Sequence, residues 1–291
     1  MELTRRLPRR MVEQAEAFRS GDRQPAPPRD AATVVLLRSA PESAPESAPE
    51  SAPASGSAEG GVEAYLLRRH LGMDFAGGMY VFPGGGVDQR DEDSALGWTG
   101  PSAQDWAERL SCSPTLARAL VCAAVRETFE ESGVLLAGPT PDSVVADTTG
   151  EDWERDRHAL VERELSLADF LRRRDLLLRT DLLAAWTHWI TPDFEPKRFD
   201  TRFFVAVLPA GQVTRDVSTE SDKVGWMPPH EALRRVDAGE MQMLPPTYVT
   251  LQDMGRLGAP EEALRAAGDR VIRPIQPRME YDDAGPFLTV E

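Results

Sequence analysis

The sequence predicts an α+β fold built around one central core. Short runs of β-branched and other apolar residues recur along the chain, and one long segment has the apolar spacing of a helix. In the last third of the chain, prolines stand where short helices would begin. With 41% hydrophobic and 28% charged residues, the 291-residue chain has the composition of a globular protein with a sizeable core.

The N-terminal residues 1–30 are predicted to be an arm or a helix that packs on the domain. The first ten residues are basic, but no apolar stretch follows them, so the sequence predicts no signal peptide. No run approaches the ~18–20 apolar residues that a membrane helix needs. Two cysteines, Cys112 and Cys122, form neither a disulfide framework nor a Cys/His metal motif. We therefore expect a cytoplasmic protein.

The first two predicted strands flank a low-complexity insert. Residues 31–38 (AATVVLLR) and 62–68 (VEAYLLR) are apolar runs typical of strands. Between them, residues 41–61 repeat Pro, Glu, Ser and Ala without any larger apolar residue. Such a composition cannot bury enough surface to offset the entropy of ordering, so it predicts a disordered loop. The insert is therefore expected to join two strands of one sheet.

A third predicted strand, residues 79–83, enters the glycine run Gly84–Gly85–Gly86. Glycines there allow the backbone to approach another segment or a ligand closely. A polar stretch follows, with a short helix around residues 105–110. The longest predicted helix spans residues 115–132, because apolar residues recur at helical spacing, and Gly133 stands where a C-terminal glycine is expected. Residues 134–136 are predicted to resume as a strand.

The second half alternates helices and strands. Residues 151–174 have the pattern of two charged helices, and residues 183–190 and 199–208 have the pattern of strands. In the strand predicted at residues 199–208, side chains alternate between two faces. One face carries Phe199, Thr201, Phe203, Val205 and Val207, and the other carries Arg198, Asp200, Arg202 and Phe204. Short helices are predicted at 229–236, 245–257 and 260–267, before a C-terminal tail of residues 271–291.

The chemistry is concentrated in Arg126-Glu127-Thr128-Phe129-Glu130-Glu131-Ser132-Gly133-Val134. Helical spacing brings the carboxylates of Glu127, Glu130 and Glu131 into one region. Their mutual repulsion raises pKa values, and in the last turn the helix macrodipole disfavours each anion by ~0.3–1 kcal/mol. A hard divalent cation, Mg²⁺ or Mn²⁺, would relieve both penalties. The alternative is a solvated acidic helix face.

This segment and the upstream VFPGGGVD resemble the Nudix box, G-x5-E-x7-R-E-U-x-E-E-x-G-U, where U is aliphatic. Gly85 matches the first glycine, Asp91 stands in place of the first glutamate, and Thr128 replaces an aliphatic residue. The second half of the box is matched by Arg126, Glu127, Glu130, Glu131, Gly133 and Val134. Between Asp91 and Arg126 lie 34 residues (92–125) where the pattern has seven, an insertion of 27. We assign residues 92–114 to it and predict that the box helix resumes at residue 115.

An interrupted box is similar to the Nudix branch that includes the peroxisomal acyl-coenzyme A diphosphatases. Residues 189–192 (WITP), 198–204 (RFDTRFF) and 243–247 (MLPPT) also resemble that branch. The resemblance implies an α/β/α sandwich with a mixed central sheet, extended by the insertion and by extra helices. It implies a single Nudix hydrolase domain over residues 31–270.

The resemblance also implies site roles. Glu127, Glu130 and Glu131 would ligate Mg²⁺ or Mn²⁺, Arg126 would hold the carboxylates in place, and the backbone of Gly84–Gly86 would approach the substrate. The general base is either Glu127 or Glu220, which lies in a polar loop.

Basic residues outside the box leave alternatives open. Arg198 and Arg202 could bind substrate phosphates, since guanidinium groups suit that geometry, or they could pair with acidic neighbours such as Asp200, Asp193 and Glu195. The Arg68-Arg69-His70 stretch could likewise face a phosphate or end a strand on the surface.

Three functions are compatible with these residues. The first is a coenzyme A or acyl-coenzyme A diphosphatase, which would release 3′,5′-ADP and a phosphopantetheine product. The second is a Nudix hydrolase for ADP-ribose, NADH or a dinucleotide, and the third is a non-catalytic ligand-binding domain on a Nudix fold. The expected partner is a small nucleoside diphosphate derivative. A net charge of −15 argues against nucleic-acid binding, and no membrane partner is expected.

Overall fold

A computed structural model of the chain describes residues 2–4, 7, 9–21, 24–41, 61–73, 76–93, 96–218 and 220–290. The predicted disordered loop lies outside the described residues except for its two ends, Pro41 and Gly61. Ala40 N donates to Gly61 O at 2.7 Å, so the two flanking strands are direct neighbours. The insert therefore joins two strands of one sheet, as predicted.

The described residues form the following strands and helices. The strands are β1 (Glu2–Thr4), β2 (Arg29–Ser39), β3 (Val62–Arg69), β4 (Tyr80–Val81), β5 (Gly84–Gly86), β6 (Trp98–Thr99), β7 (Ala137–Gly138), β8 (Leu177–Arg179), β9 (Ala184–Ile190), β10 (Phe199–Val207), β11 (Ser221–Met227), β12 (Pro274–Ile275), β13 (Arg278–Asp282) and β14 (Gly285–Thr289). The helices are α1 (Arg9–Arg19), α2 (Ala103–Leu110), α3 (Pro114–Ser132), α4 (Glu151–Val161), α5 (Leu167–Arg173), α6 (Pro229–Asp237), α7 (Pro245–Met254) and α8 (Pro260–Gly268).

The central sheet is mixed. Its order is β11-β3-β2-β10-β9-β12, with β4 added to β3 and β5 added to β2. The β2–β10 and β9–β12 pairs are parallel, and the remaining pairs are antiparallel. Strands β2 and β10 lie in the middle, and their apolar stretches, such as residues 34–37 and 203–206, are buried because helices cover the sheet on both sides.

Two hydrophobic cores lie on opposite faces of this sheet. One joins alternate residues of the central strands, such as Val34 and Phe204, to α2, α3 and α5. The other joins the intervening residues, such as Val35 and Val205, to α6, α7 and α8. Helix, sheet and helix layers therefore form an α/β/α sandwich, and the predicted α+β fold with a mixed central sheet is confirmed.

Helix α3 carries the candidate acidic residues and is strongly specified at both ends. Ser113 Oγ accepts from Leu116 N and Pro114 occupies the first turn, which together start the helix. Gly133 ends it with φ 74°, and its N–H donates to Phe129 O. This left-handed conformation favours glycine, as the sequence predicted.

The insertion in the box folds onto the core. It contains β6 and α2, and Trp106 of α2 packs edge-on against Phe204 with ring centroids 5.7 Å apart. Because α2 packs beside α3 and not between α3 and the glycine strand, the insertion leaves the two halves of the box together.

Several elements differ from the sequence predictions. Residues 134–136 are not a strand, β7 begins only at Ala137, and the predicted strand at 79–83 is interrupted between β4 and β5. Strand β11 and the short strand β8 were not predicted.

Both chain ends are ordered into one substructure. The predicted tail of residues 271–291 contains β12, β13 and β14, and β14 pairs with β1 at the N-terminus. Helix α1 packs there through Ala15, in a small core with Phe194 and Leu288. The N-terminal segment is thus a packed helix where the sequence left an arm or a helix open.

Within the described residues, no helix is both long enough and apolar enough to cross a membrane. Cys112 is half-buried and Cys122 is buried, and neither is in a disulfide.

Candidate active site

The glycine strand β5 lies directly against the C-terminal half of α3, and each glycine makes a different contact. Gly84 N donates to Glu131 Oε2 at 2.8 Å, and Gly86 O accepts from Arg126 Nη2 at 3.0 Å. A Cβ atom at Gly85 would lie 2.5 Å from the Glu127 side-chain Cδ. Any larger residue at Gly85 would displace this carboxylate. The motif therefore requires glycine at this position for steric reasons.

Arg126 ties the two halves of the box together. Its Nε and Nη2 donate to Asp91 Oδ1 and Oδ2 at 3.0 and 2.9 Å, a bidentate pair in which the carboxylate is 2% exposed. Its Nη1 donates to Glu127 Oε1 at 2.7 Å and approaches Glu130 at 3.4 Å. Arg126 therefore contacts three carboxylates at once and fixes their relative positions.

Asp91 has a structural place despite the insertion. It sits in a short 3₁₀ turn, where its Oδ2 also accepts from Asp88 N at 2.8 Å. Its side chain points at Arg126, and its negative charge also contributes to the raised pKa of Glu127 and Glu130. The shorter Asp side chain in place of the box glutamate thus serves as a support for Arg126.

Burial raises the pKa of all three helix glutamates. For Glu130, burial and then the negative charge of Glu127 raise the pKa to about 7, although Arg126 lowers it. Burial also raises the pKa of Glu127 and Glu131, and the charge of Glu127 adds to the effect at Glu131. The Gly84 N–H lowers the pKa of Glu131. Desolvated, mutually repelling carboxylates of this kind are typical of functional sites.

These residues fit a divalent cation through their donor chemistry. Carboxylate oxygens are the ligands that Mg²⁺ and Mn²⁺ prefer, and a cation would offset the desolvation and repulsion just described. Among the described residues, no three acidic, histidine or cysteine side chains converge into a ready-made metal cluster. Arg126 Nη1 lies between Glu127 and Glu130 and supplies the positive charge there.

A cavity of about 890 Å³ opens in front of this group. The glycine run and the three glutamates line it, and so do Arg69 and Glu220. Glu220 is exposed, with Oε2 3.2 Å from Arg69 Nη2, and its charge contributes to the raised pKa of Glu127 and Glu131. The structure therefore brings Glu220 to the cluster predicted from the box.

Arg69 is the basic residue that the sequence left undecided. It borders the cavity, and its charge lowers the pKa of Glu131. The neighbouring Arg68 instead pairs with Asp222, through Nε and Oδ1 at 2.6 Å, and does not border the cavity. Strand alternation explains this difference, because consecutive side chains point to opposite faces.

The predicted phosphate contacts of Arg198 and Arg202 are corrected by their placement. Both side chains are buried and neither borders the cavity. Arg198 Nη2 pairs with Asp193 Oδ1 at 2.6 Å, and Arg202 pairs with Asp200. The alternative of ion pairs is the one observed, because these arginines occupy the strand face turned away from the cavity.

The opposite face of β10 supplies residues that the search for charges missed. Phe199, Thr201 and Phe203 border the cavity, together with Trp189 of β9. Leu244–Thr247, at the start of α7, also lies on its wall. The alternation in the sequence separates these aromatic residues from the arginines, but it does not say which face meets a ligand.

Comparison with known proteins agrees with the geometry. The family model described as NUDT19 Nudix domain matches residues 106–257, more than half of the chain. The acyl-coenzyme A diphosphatase NUDT19 of Xenopus laevis is 26% identical over 223 residues, covering 65% of this chain and 58% of the relative. The putative nudix hydrolase 7 of Caenorhabditis elegans is 24% identical over 197 residues, covering 66% and 55%. The chain thus spans less than two thirds of the length of these curated relatives.

The crystal structure of a NUDIX hydrolase from Alicyclobacillus acidocaldarius superimposes with a TM-score of 0.66. The two chains are 26% identical, and the match covers 82% of this chain and 96% of that one. Fold, interrupted box and family match agree, and the chain belongs to the NUDT19 Nudix domain family within the Nudix hydrolases.

Proposed function

We propose that the chain hydrolyses a phosphoanhydride bond of a nucleoside diphosphate derivative with the help of Mg²⁺ or Mn²⁺. The observation that carries this proposal is the group of desolvated glutamates held against Gly84–Gly86 at the wall of a large cavity. Glu127, Glu130 and Glu131 would hold the ion. When bound, such an ion neutralises charge on phosphate oxygens and helps to generate the nucleophile from water.

Two arginines would position the metal-binding carboxylates and the substrate. Arg126, braced by Asp91, keeps Glu127 oriented toward the glycine strand. Arg69 borders the cavity close to Glu131 and presents a guanidinium group to a substrate phosphate. We assign Arg69 this role in place of Arg198 and Arg202.

Glu220 is the better placed of the two candidate bases. Glu127 is engaged by Arg126 at 2.7 Å, whereas the Glu220 side chain is 56% exposed at the cavity and contacts only Arg69 at 3.2 Å among the described charged groups. A carboxylate that water can reach is able to accept its proton. Steady-state kinetics should therefore show a lower kcat in E220Q with little change in KM, because the base acts in the reaction and not in binding.

The proposed substrate is coenzyme A or an acyl-coenzyme A. A cavity of about 890 Å³ lies at the upper end of the ~300–1,000 Å³ typical of ligand pockets, so it suits a large substrate. Its lining also includes apolar and aromatic side chains, such as Trp189, Phe199 and Leu244. Relatives from Xenopus laevis and Gallus gallus are named acyl-coenzyme A diphosphatases.

A substrate panel tests this proposal. The full chain is incubated with Mg²⁺ or Mn²⁺ and coenzyme A, an acyl-coenzyme A, ADP-ribose, NADH or a dinucleotide, and products are separated by chromatography. We expect 3′,5′-ADP and a phosphopantetheine product from the first two, at the highest kcat/KM. Faster turnover of ADP-ribose or NADH would contradict the substrate, and turnover unchanged in E130Q and E131Q would contradict the site.

A further inference from the structure

A basic corner of the cavity lies apart from the glutamates. Arg29 begins β2 and Phe199 begins β10, and the two residues are partners in the parallel pair. Both border the cavity, as does Lys197 just before β10. Lys197 Nζ lies 5.9 Å from the centroid of the Phe199 ring. The three residues therefore form one corner, made by the starting ends of two adjacent strands.

The register of β2 sets the distance of this corner from the glutamates. Ala32 of β2 is the partner of Gly85, and Arg29 lies three residues before it. At about 3.3 Å per residue, the Arg29 backbone lies about 10 Å from the point where β5 meets α3. A group bound at this corner is thus separate from a diphosphate bound at Glu127 and Glu131.

Arg29 and Lys197 are exposed, and neither has an ion pair within the part of the chain that the structure describes. This is unusual for a protein of net charge −15 with only two lysines, Lys197 and Lys223. Most cavity cations that border the glutamates are paired, as Arg126 and Arg69 are.

Two acidic residues near the corner lie close to other cations. Asp30 faces Arg202 Nη1 at 3.5 Å. Glu195, which also borders the cavity, is half-buried beside Arg10, whose charge lowers its pKa against the larger effect of burial. The positive charge of Arg29 and Lys197 is therefore left for a ligand.

We propose that Arg29 and Lys197 form a second anion subsite, which binds a phosphate of the substrate other than the diphosphate that is cleaved. The substrate class is a nucleoside diphosphate derivative that carries an additional phosphate, such as one on its ribose. This inference rests on the proposed function and assigns residues to the recognition of its substrate. Because the subsite is remote from the bond that breaks, it contributes to binding equally before and during the reaction, so its loss raises KM and leaves kcat unchanged.

Binding of product-like ligands tests the subsite without turnover. Isothermal titration calorimetry compares adenosine 3′,5′-diphosphate with AMP on the full wild-type chain, K197Q and R29Q. The matched control is K223Q, because the other lysine is exposed on β11 away from the cavity. We expect the wild type and K223Q to prefer the diphosphate by about tenfold, the effect of one charge-assisted contact, and K197Q and R29Q to lose most of that preference.

Absence of a preference in the wild type, or a preference unchanged in K197Q and R29Q, overturns the subsite. Kinetics with coenzyme A and dephospho-coenzyme A, which differ by one phosphate, separate the subsite from the proposed function. Equal KM for both compounds would reject the subsite alone. No turnover of any diphosphate in the panel would reject the function, and the calorimetry would still decide the subsite.

Discussion

Arg126 is the residue through which the separated halves of the box act on each other. It reaches back over 35 positions to Asp91 and forward to Glu127, and both contacts are charge-assisted. Because Asp91 is almost fully buried, removal of Arg126 would leave its carboxylate without the bidentate partner that offsets its burial. In the proposed site, a buried ion pair holds the carboxylates in place and the three glutamates would bind the metal ion.

Replacing Arg126 by Gln should destabilise the fold strongly. R126Q leaves the Asp91 carboxylate buried without its cation, which costs about 3–5 kcal/mol of unfolding free energy. Urea denaturation measures the change. R90Q is the matched control, because Arg90 pairs with Asp88 in a more exposed position and should cost about 1 kcal/mol or less. Equal losses in both variants would contradict the bracing role.

Adding a single methyl group at Gly85 should abolish most activity. In G85A the new Cβ displaces the Glu127 carboxylate, and misplacement of a reacting group by about 1 Å can cost about 100-fold in rate. Steady-state kinetics with the best substrate of the panel measure the loss. G225A is the control, since no atom lies within 4 Å of its new Cβ. Wild-type kcat/KM in G85A would show that the close approach is not needed.

The sequence predicted the acidic residues of the site, but it did not predict which basic and aromatic side chains face the cavity. The carboxylates on α3 and the glycine run were predicted together, because helical spacing and the box both place them. The alternation in β10 correctly separated Arg202 from Phe203, yet it could not identify the face that meets the cavity, since that depends on packing of distant helices. Arg69 had the same ambiguity with Arg68, which only the strand register resolves.

Helix α3 is the element that concentrates unfavourable charge. Three carboxylates lie in its last two turns, where the macrodipole opposes anions. The helix tolerates this because most of its other residues from Ala119 onward are buried and both ends are capped. The stabilisation from packing and capping of α3 thus offsets the repulsion among its three glutamates at the cavity.

The metal-free chain should become less stable as pH rises. The pKa of Glu130 is about 7 in the folded chain against an ordinary value of 4.5. Between pH 4.5 and 7 the folded chain therefore binds more protons than the unfolded chain. The stabilising contribution of protonated Glu130 is fully present below pH 4.5 and is lost as the pH rises through 7. Thermal melts in a chelator between pH 5 and 8 should show a falling Tm.

Two further Tm measurements test whether the pH effect comes from Glu130 and its neighbouring carboxylates. E130Q should flatten the slope, because the substituted side chain does not titrate. Mg²⁺ should raise Tm more at pH 8 than at pH 5, since ligands bind the ion only when deprotonated. A metal-free Tm that rises with pH over this range would contradict the buried-carboxylate account.

Elements with regular apolar patterns were predicted well, and those without were missed. Helix α3 and strands β2 and β10 follow clear periodicity and lie within two residues of their predicted bounds. Strand β11 was missed because its sequence, SDKVGWM, is polar at one end and contains a glycine. It forms a strand because it pairs with β3, a contact between segments far apart in the chain.

At the scale of the whole molecule, two insertions are accommodated in different ways. The insertion in the box adds α2 beside α3 and contributes to the core. The two strands that flank residues 42–60 are joined at their ends by the Ala40–Gly61 hydrogen bond. Neither insertion changes the order of strands that positions β5 against α3.

Replacing residues 42–60 with Asn-Gly should leave the enzyme intact. The flanking strands already meet, and a shorter loop lowers the entropy of closure by about 1–2 kcal/mol. We expect an equal or higher Tm and an unchanged kcat/KM. Loss of activity with the fold retained would mean that the segment takes part in the site.

The termini could not be predicted from local patterns. Strand β1 pairs with β14 across the full length of the chain, a contact that no local period indicates, whereas β14 also pairs with the neighbouring β13. Their substructure nevertheless reaches the cavity through Met11 and Leu288. The walls of the cavity therefore come from both ends of the chain as well as from the box.

Binding of Mn²⁺ to the full chain tests the central claim most directly. Electron paramagnetic resonance titration compares the wild type with E127Q, E131Q and the control E108Q, which alters an exposed glutamate on α2. We expect E127Q and E131Q each to weaken Mn²⁺ binding by at least about tenfold, because each removes a proposed ligand, and E108Q to bind as the wild type does. Mn²⁺ binding unchanged in an E127Q/E131Q double variant would contradict the account.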